Sequence, residues 1–153
     1  MAPFFMLNDF VQYLESEKRF SEHTCVAYKK DLTQFFEFAE LKTKNDLREV
    51  NSKLIRAWMV DLLTDEYMAA SVNRKLSSLR TFYKWLLKAG VVDSNPIQSV
   101  NGPKNQKRLP SFAQTKDLEV AKIETFFDKD FEGIRDRLMF EMFYQTGIRS
   151  SEL

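Results

Sequence analysis

Apolar side chains recur at helical spacing along most of the chain, most clearly in residues 71–90. The apolar residues of this stretch form one wide face, and its cations lie off that face. These apolar residues are Val72, Leu76, Leu79, Phe82, Tyr83, Leu86 and Leu87. Gly90 follows the last of them, at the place where a left-handed residue ends many helices. The pattern predicts a long helix with one face for a core and an acid-free face suited to an anion.

Three earlier segments show the same periodicity and predict three further helices, at residues 6–17, 21–39 and 53–64. Ser21 is expected to cap the second helix, and Asn51 or Ser52 the third, because such side chains accept hydrogen bonds from the free amides of a first turn. The exposed side of the second helix is expected to carry His23, Thr24, Ala27, Lys30 and Asp31. Residues 41–50 are interpreted as a polar connection. Short connections between four one-sided helices predict a compact four-helix bundle.

The chain changes character after Gly90, because residues 91–110 contain three prolines and a glycine. A proline disfavours the helical conformation of the residue before it. The stretch is therefore interpreted as an extended basic linker and a domain boundary. The expected units are a domain at residues 1–95, the linker at 96–110 and a second unit at 111–153.

Two more helices are predicted in the second unit, at residues 115–127 and 133–144, and Gly147 is expected to end the latter. Ser150 is interpreted as the cap of another helix, whose first turn alone is too short to be stable. The second unit is therefore expected to be the truncated, helical start of a larger domain. The fold class predicted for the whole chain is all-α.

Composition narrows the possible functions of this 153-residue chain. Its 44% hydrophobic residues suffice for a core, and 4 glycines and 4 prolines argue against a strand-rich fold. The single cysteine, Cys25, excludes a disulfide framework, is interpreted as a core residue and suits the cytoplasm. One histidine rules out a His-rich metal site. We find no run long enough to span a membrane and no signal peptide, and we expect no metal.

Charge is unevenly distributed although the net charge is only +1. Residues 71–108 contain eight Lys/Arg and one acid, whereas residues 110–153 contain six Lys/Arg and nine acids. A basic stripe of this kind is typical of a surface that meets a phosphate backbone. Ser71, Arg74, Lys75 and Ser78 share one helical row and are expected to project together into solvent, while Arg80 points elsewhere and is a candidate partner for an acid. An ordinary solvated face is the structural alternative.

Several motifs occur in order and with characteristic spacing. They are FSEHTCVAYKKDLTQFFEF, SVNRKLSSLRTFYKWLLKAG, NPIQSVNGPKNQKRLP and RDRLMFEMFYQTGIRSSEL. On these motifs the chain resembles the tyrosine recombinase (phage integrase) family, and within it the Xer-type chromosome-dimer resolvases or a close integrase relative. The resemblance implies a SAM-like core-binding domain joined by the linker to a catalytic domain, the two closing as a clamp around a DNA half-site.

The resemblance also implies roles for particular residues. The implied DNA contacts lie on two helices and in the linker. On the second helix they are Thr24 and His23, with Ala27 beside them, and on the fourth helix they are Ser71, Arg74, Lys75 and Ser78. In the linker they are Lys104, Lys107 and Arg108. Arg149 matches the first of two arginines that clamp the scissile phosphate, for which a planar guanidinium offers two parallel N–H donors. Glu152 is expected to orient Arg149. The family needs no metal or nucleotide cofactor, and the implied partner is duplex DNA with inverted-repeat half-sites, on which the full-length protein forms a tetramer on two sites.

The remaining family residues, including the nucleophilic tyrosine, do not occur in this sequence, so we expect the chain to bind DNA without cleaving it. Tyr144 is interpreted as a core or packing residue, as are Trp58 and Trp85. A different class of function is also open, namely a helical protein-interaction module whose basic face meets an acidic partner. Preference for an inverted-repeat duplex over scrambled DNA would distinguish the two.

Overall fold

The computed structural model describes residues 2–105 and 126–152, with side chains from residue 6 onward. Within these ranges the chain forms α-helices and no strand. The helices are α1 (Ala2–Ser16), α2 (Glu22–Phe38), α3 (Lys44–Glu49), α4 (Ser52–Thr64), α5 (Ala69–Lys88) and α6 (Phe131–Thr146). They divide between two compact units, Met1–Lys107 and Arg108–Leu153. The predicted all-α class is confirmed.

The caps of the long helices follow the local chemistry that the sequence indicates. The Ser21 hydroxyl accepts from the Thr24 amide at 3.4 Å, and the Asn51 side chain accepts from the first-turn amides of α4. Gly90 adopts φ 67°, a left-handed conformation that a glycine takes without strain. The predicted helix ends at these three positions are confirmed.

Helix α3 lies in the stretch that we expected to be a polar connection. Its six residues bury one apolar side chain, Leu47, so hydrophobic periodicity does not reveal it. A capping box defines it instead. The Thr43 hydroxyl accepts from the Asp46 amide at 3.3 Å, and the Asp46 carboxylate accepts from the Thr43 amide at 2.7 Å.

Aromatic rings form the centre of the core in the first unit. Phe10 and Phe82 meet edge to face at 5.1 Å, and Phe35 and Trp58 do so at 5.0 Å. Tyr83 is also buried there, where its hydroxyl donates to the Leu47 carbonyl at 3.2 Å and burial raises its pKa.

Three further residues join the core as expected. Cys25 is buried and unpaired, Trp58 lies inside, and Trp85 packs against the core from its edge. Burial raises the pKa of the Cys25 thiol. The interpretation of these residues as core residues is confirmed.

The stretch after α5 packs more closely than an extended linker. Val92, Ile97 and Val100 are buried in the core of the first unit. Arg48 donates to the Val91 carbonyl at 2.8 Å, and Arg56 donates to the Ser99 carbonyl at 3.2 Å. Helix α5 ends at Lys88, before the first of these prolines, and the prolines leave apolar side chains free to pack. Ile97 and Val100, which were expected in the linker, therefore belong to this core, while the domain boundaries as such stay a prediction.

The second unit is described from residue 126, so most of the helix predicted at residues 115–127 lies outside the described residues. Helix α6 begins at Asp130, whose side chain accepts from the Gly133 amide at 2.8 Å, and ends at Gly147 with φ 66°. The predicted helix and its end are confirmed. Tyr144 was expected to be a core or packing residue. It stacks on Phe140 with ring centres 6.4 Å apart, which confirms the packing role, and its exposure shows that it is not a core residue among the described residues.

Candidate nucleic-acid interface

The contact between α2 and α5 is built around Asp31, a carboxylate that is only 1% exposed. Arg74 binds it with both ends of its guanidinium, with Nη1 2.5 Å from Oδ2 and Nη2 2.8 Å from Oδ1. Lys75 Nζ lies 3.2 Å from Oδ1, and Ser78 Oγ donates to Oδ2 at 2.8 Å. Both oxygens of the buried carboxylate are thus fully hydrogen-bonded, as a buried charge requires.

The expectation that residues 71, 74, 75 and 78 project together into solvent is wrong for two of them. Lys75 is 4% exposed and Ser78 is 0% exposed. Lys75 also donates to Gln34 Oε1 at 2.6 Å and lies 5.2 Å from the centre of the Tyr67 ring. The placement of Asp31 on an exposed side of α2 is wrong for the same reason, because this row of α5 packs onto α2. Lys75 and Ser78 are therefore internal partners of Asp31 and not surface contacts.

Apart from Leu87, the most exposed side chains of α5 lie in a neighbouring row. Successive members three or four residues apart are Ala70, Arg74, Ser77, Thr81, Lys84 and Lys88. Arg74 is shared between the two rows, and 49% of its side chain is exposed. We call these six residues the α5 stripe. Its two flanks are covered differently, by α2 on one side and by residues 100–105 on the other. On the second flank Arg80 donates to the Val100 carbonyl at 3.4 Å, and no acid among the described residues pairs with it.

A groove of about 610 Å³ runs between α2 and α5. Its lining residues are Val26, Lys29, Lys30, Thr33, Gln34, Glu37, Tyr67, Ser71, Arg74 and Lys75. Four of these are cations, against one carboxylate in the lining and Asp31 beneath it. Clefts lined mainly by one sign of charge concentrate counter-ions, here anions.

The other predicted contacts lie in three places. At the first turn of α2, His23 is exposed and Thr24 is half-buried. The Thr24 hydroxyl lies 3.0 Å from the Ser21 hydroxyl. Neither His23 nor Thr24 lines the groove. Ser71 does line it, and Lys104 is exposed beyond α5. Lys107 and Arg108 lie outside the described residues.

Sequence reasoning missed Lys29 and did not assign Lys30 to the site. Both line the groove, and Lys29 Nζ donates to Asn8 Oδ1 at 3.3 Å. The signal was available, because Val26, Lys29, Lys30 and Thr33 form one helical row beside the buried row of α2.

Arg149 belongs to the second unit, where it follows the left-handed Gly147. Its side chain is 82% exposed. Glu152 accepts from the Arg149 amide at 2.8 Å and from Nη1 at 3.2 Å, so the two residues are in contact, while the orienting role of Glu152 stays a prediction. The Glu152 amide in turn donates to the Arg149 carbonyl at 2.8 Å, so the chain begins a turn at Arg149, one residue before Ser150.

Two kinds of feature are absent from the part of the chain that the structure describes. Residues 2–105 and 126–152 contain no group of three or more His, Cys, Asp or Glu side chains that could hold a metal ion. In the same ranges, no helix combines the length and apolar character needed to cross a bilayer.

Residues 7–90 match the family described as phage integrase, N-terminal SAM-like domain. This match covers more than half of the chain and includes the groove, the α5 stripe and Asp31. The chain therefore belongs to the phage integrase, or tyrosine recombinase, family and carries the SAM-like domain of that family.

Within the family the chain is similar to proteins named tyrosine recombinase XerC. It is 38% identical to that of Anoxybacillus flavithermus over 97% of this chain and 49% of the relative. It is 37% identical to that of Listeria innocua over 94% of this chain and 48% of the relative, and 34% identical to that of Bacillus subtilis over 94% and 47%. The chain thus spans about half the length of the curated relatives it matches. No solved structure gives a significant match.

Proposed function

We propose that this chain is the DNA-binding portion of a site-specific tyrosine recombinase and that the groove and the α5 stripe together meet duplex DNA. The observation that carries the proposal is the cationic groove beside Arg74, whose guanidinium is held by Asp31 while half of its side chain stays exposed. The groove lies within the residues that match the family's SAM-like domain.

The dimensions and side chains of α5 support a major-groove contact. A helix of 20 residues is about 30 Å long, and the major groove of B-DNA is wide enough to admit a helix. Three of the six residues of the stripe are small, namely Ala70, Ser77 and Thr81, so the backbone can approach the DNA closely there. Because a guanidinium has five N–H donors, the two that Arg74 gives to Asp31 leave three for phosphate oxygens or a base edge.

Burial divides the proposed contacts into two groups. The proposed surface contacts are Lys29, Lys30, Ser71, Arg74, Lys84 and Lys104. Lys75 and Ser78 stabilise Asp31 instead. His23 and Thr24 are proposed as contacts at the end of α2, and Lys107 and Arg108 as contacts in the linker.

We extend the proposal to the whole protein through its relatives. In the whole protein, Arg149 clamps the scissile phosphate and Glu152 orients Arg149. No metal or nucleotide cofactor takes part in the proposed reaction. The DNA target consists of inverted-repeat half-sites, and the full-length protein assembles as a tetramer on two sites. A chromosomal or mobile DNA target and the buried, unpaired Cys25 both fit the cytoplasm.

Fluorescence anisotropy on a panel of inverted-repeat duplexes and a scrambled control tests the DNA proposal. We expect the logarithm of affinity to fall linearly with the logarithm of salt concentration, with a slope of about −0.9 per phosphate contacted. Lys30→Ala should reduce that slope by about 1, whereas Lys53→Ala, at an exposed lysine on α4, should leave it unchanged. Equal slopes for the two variants, or no binding to any duplex, would refute the assignment and favour a protein partner for the basic face.

A strand-cleavage assay tests the expectation that this chain does not cut. On a nicked duplex that traps covalent intermediates, the 153-residue chain should form no protein–DNA adduct. An adduct would show that one of its five tyrosines acts as the nucleophile, contrary to the proposal.

A further inference from the structure

Residues 102–105 lie along the side of α5 that faces away from α2, and the Asn73 side chain is hydrogen-bonded to them. The Asn73 side-chain Nδ2 donates to the Pro103 carbonyl at 2.9 Å and to Asn105 Oδ1 at 2.9 Å. The two acceptors stand on either side of Lys104 in the chain. One amide group therefore fixes the backbone before Lys104 and the side chain after it.

A second observation shows how closely this segment lies against α5. A Cβ added at Gly102 would lie 1.8 Å from Asn73 Oδ1, 3.0 Å from Asn73 Cγ and 3.3 Å from Leu76 Cδ1. Only a glycine fits there while the Asn73 amide keeps its position. Upstream, the buried Ile97 and Val100 anchor the same segment in the core.

We infer that Asn73 is a positioning residue, which locks residues 102–105 along α5 and so holds Lys104 at the edge of the α5 stripe before DNA arrives. The docking stands on the contacts above, whereas the role of Lys104 toward a phosphate backbone rests on the proposed function. Asn73 directly precedes Arg74, so the docked segment borders the proposed DNA-facing row. Holding the segment in place beforehand removes the entropic cost of ordering it during binding.

Limited trypsin digestion of the native chain tests the docking without DNA. Asn73→Ala should speed cleavage after Lys104 by roughly five- to tenfold, because cleavage follows the population of the open segment. Ser77→Ala, at an exposed position on the same helix, is the matched control and should leave the rate unchanged.

Gly102→Ala tests the docking from the other side of the contact. In the wild-type background it should also speed cleavage after Lys104, because the new methyl group displaces the Asn73 amide. In the Asn73→Ala background its effect should be smaller, since the two nearest atoms, Oδ1 and Cγ of Asn73, are gone and only Leu76 Cδ1 remains close. An unchanged cleavage rate in Asn73→Ala would overturn the docking, and so would a Gly102→Ala effect of equal size in both backgrounds.

The positioning role is tested by duplex binding in a double-mutant cycle. Asn73→Ala and Lys104→Ala should each weaken binding by roughly two- to tenfold, the range expected from the cost of ordering one long side chain. Once Lys104 is alanine, Asn73→Ala should cause no further loss. Additive losses would overturn the positioning role. Failure of the wild-type chain to bind DNA would instead overturn the proposed function and the role of Lys104 in it. The trypsin digestion would still show whether Asn73 docks residues 102–105 on α5.

Discussion

Asp31 is the acceptor for three polar side chains of α5, two of which are buried against α2. Its carboxylate is buried between α2 and α5 and accepts from Arg74, Lys75 and Ser78. These donors were predicted to face DNA together, and only Arg74 is exposed as expected. Asp31 itself could have been found from the sequence, because Tyr28, Asp31, Leu32 and Phe35 form one helical row.

The choice between the two rows of α5 could not be made from the sequence. The row through Lys75 and Ser78 and the row through Ser77 and Thr81 are adjacent on the helix, and both are rich in polar residues. Only the position of α2, a non-local fact, decides which row is covered. The choice of α5 as the DNA-facing helix stays a prediction, whereas the predicted exposure of Lys75 and Ser78 is wrong.

At the residue scale, we expect Asp31→Asn to lower the free energy of unfolding by about 3 kcal/mol, because Lys75 stays buried without its carboxylate partner. The double variant Asp31→Asn, Lys75→Met should recover part of that loss, since both charges are then gone. Urea unfolding followed by tryptophan fluorescence measures both. Asp61→Asn, at an exposed position of α4, is the control and should change stability by less than about 0.5 kcal/mol. A double variant no more stable than Asp31→Asn alone would show that the Lys75 charge does not cause the loss.

The Asp31→Asn variant also tests whether Asp31 strengthens or weakens DNA binding. Removing a negative charge beside the groove would strengthen binding if only net charge mattered. We expect weaker binding instead, because the guanidinium of Arg74 loses the carboxylate that orients it. In an Arg74→Ala background the same change should no longer weaken binding. The measurement is duplex affinity at fixed salt and at a temperature where every variant is folded, and tighter binding by Asp31→Asn would contradict the orienting role.

At the scale of elements, α3 shows what apolar periodicity omits. It has one buried apolar residue, and side-chain hydrogen bonds define its start. The Thr43 hydroxyl and then the amides of Lys42 and Thr43 hold the pKa of Asp46 below its usual range. The Thr43–Asp46 spacing is close to that of a capping box, so the sequence itself indicates the start of α3.

The lowered pKa of Asp46 predicts a pH dependence. Because the pKa is lower in the folded state, its stabilising contribution is fully present above the unfolded value, near pH 4, and is lost as pH falls through the folded value. The stability difference between the wild type and Asp46→Asn should therefore be present at neutral pH and shrink in acid. Urea unfolding at about pH 7 and about pH 2.5 measures it. A difference that stays constant between these values would exclude the carboxylate as its source.

At the scale of the whole molecule, local patterns predicted the four long helices of the first unit and α6, because each has its own periodicity and some have capping residues at their ends. They did not predict that Ile97 and Val100 complete the core, since that packing joins these two residues to distant helices. The Asn73 contact to Pro103 was hidden for the same reason, being separated by 30 residues in sequence. The sequence thus indicated the helices that form the candidate site, and tertiary packing determines which of their side chains are exposed.

Lysine acetylation footprinting tests most directly whether the groove and the α5 stripe meet DNA. The chain is acetylated with and without an inverted-repeat duplex, and each lysine is quantified by mass spectrometry. We expect the duplex to protect Lys29, Lys30, Lys84 and Lys104, and to leave Lys44 and Lys53 as reactive as before. Protection centred on Lys44 and Lys53, or protection spread evenly over all six, would contradict a DNA interface built on α2 and α5.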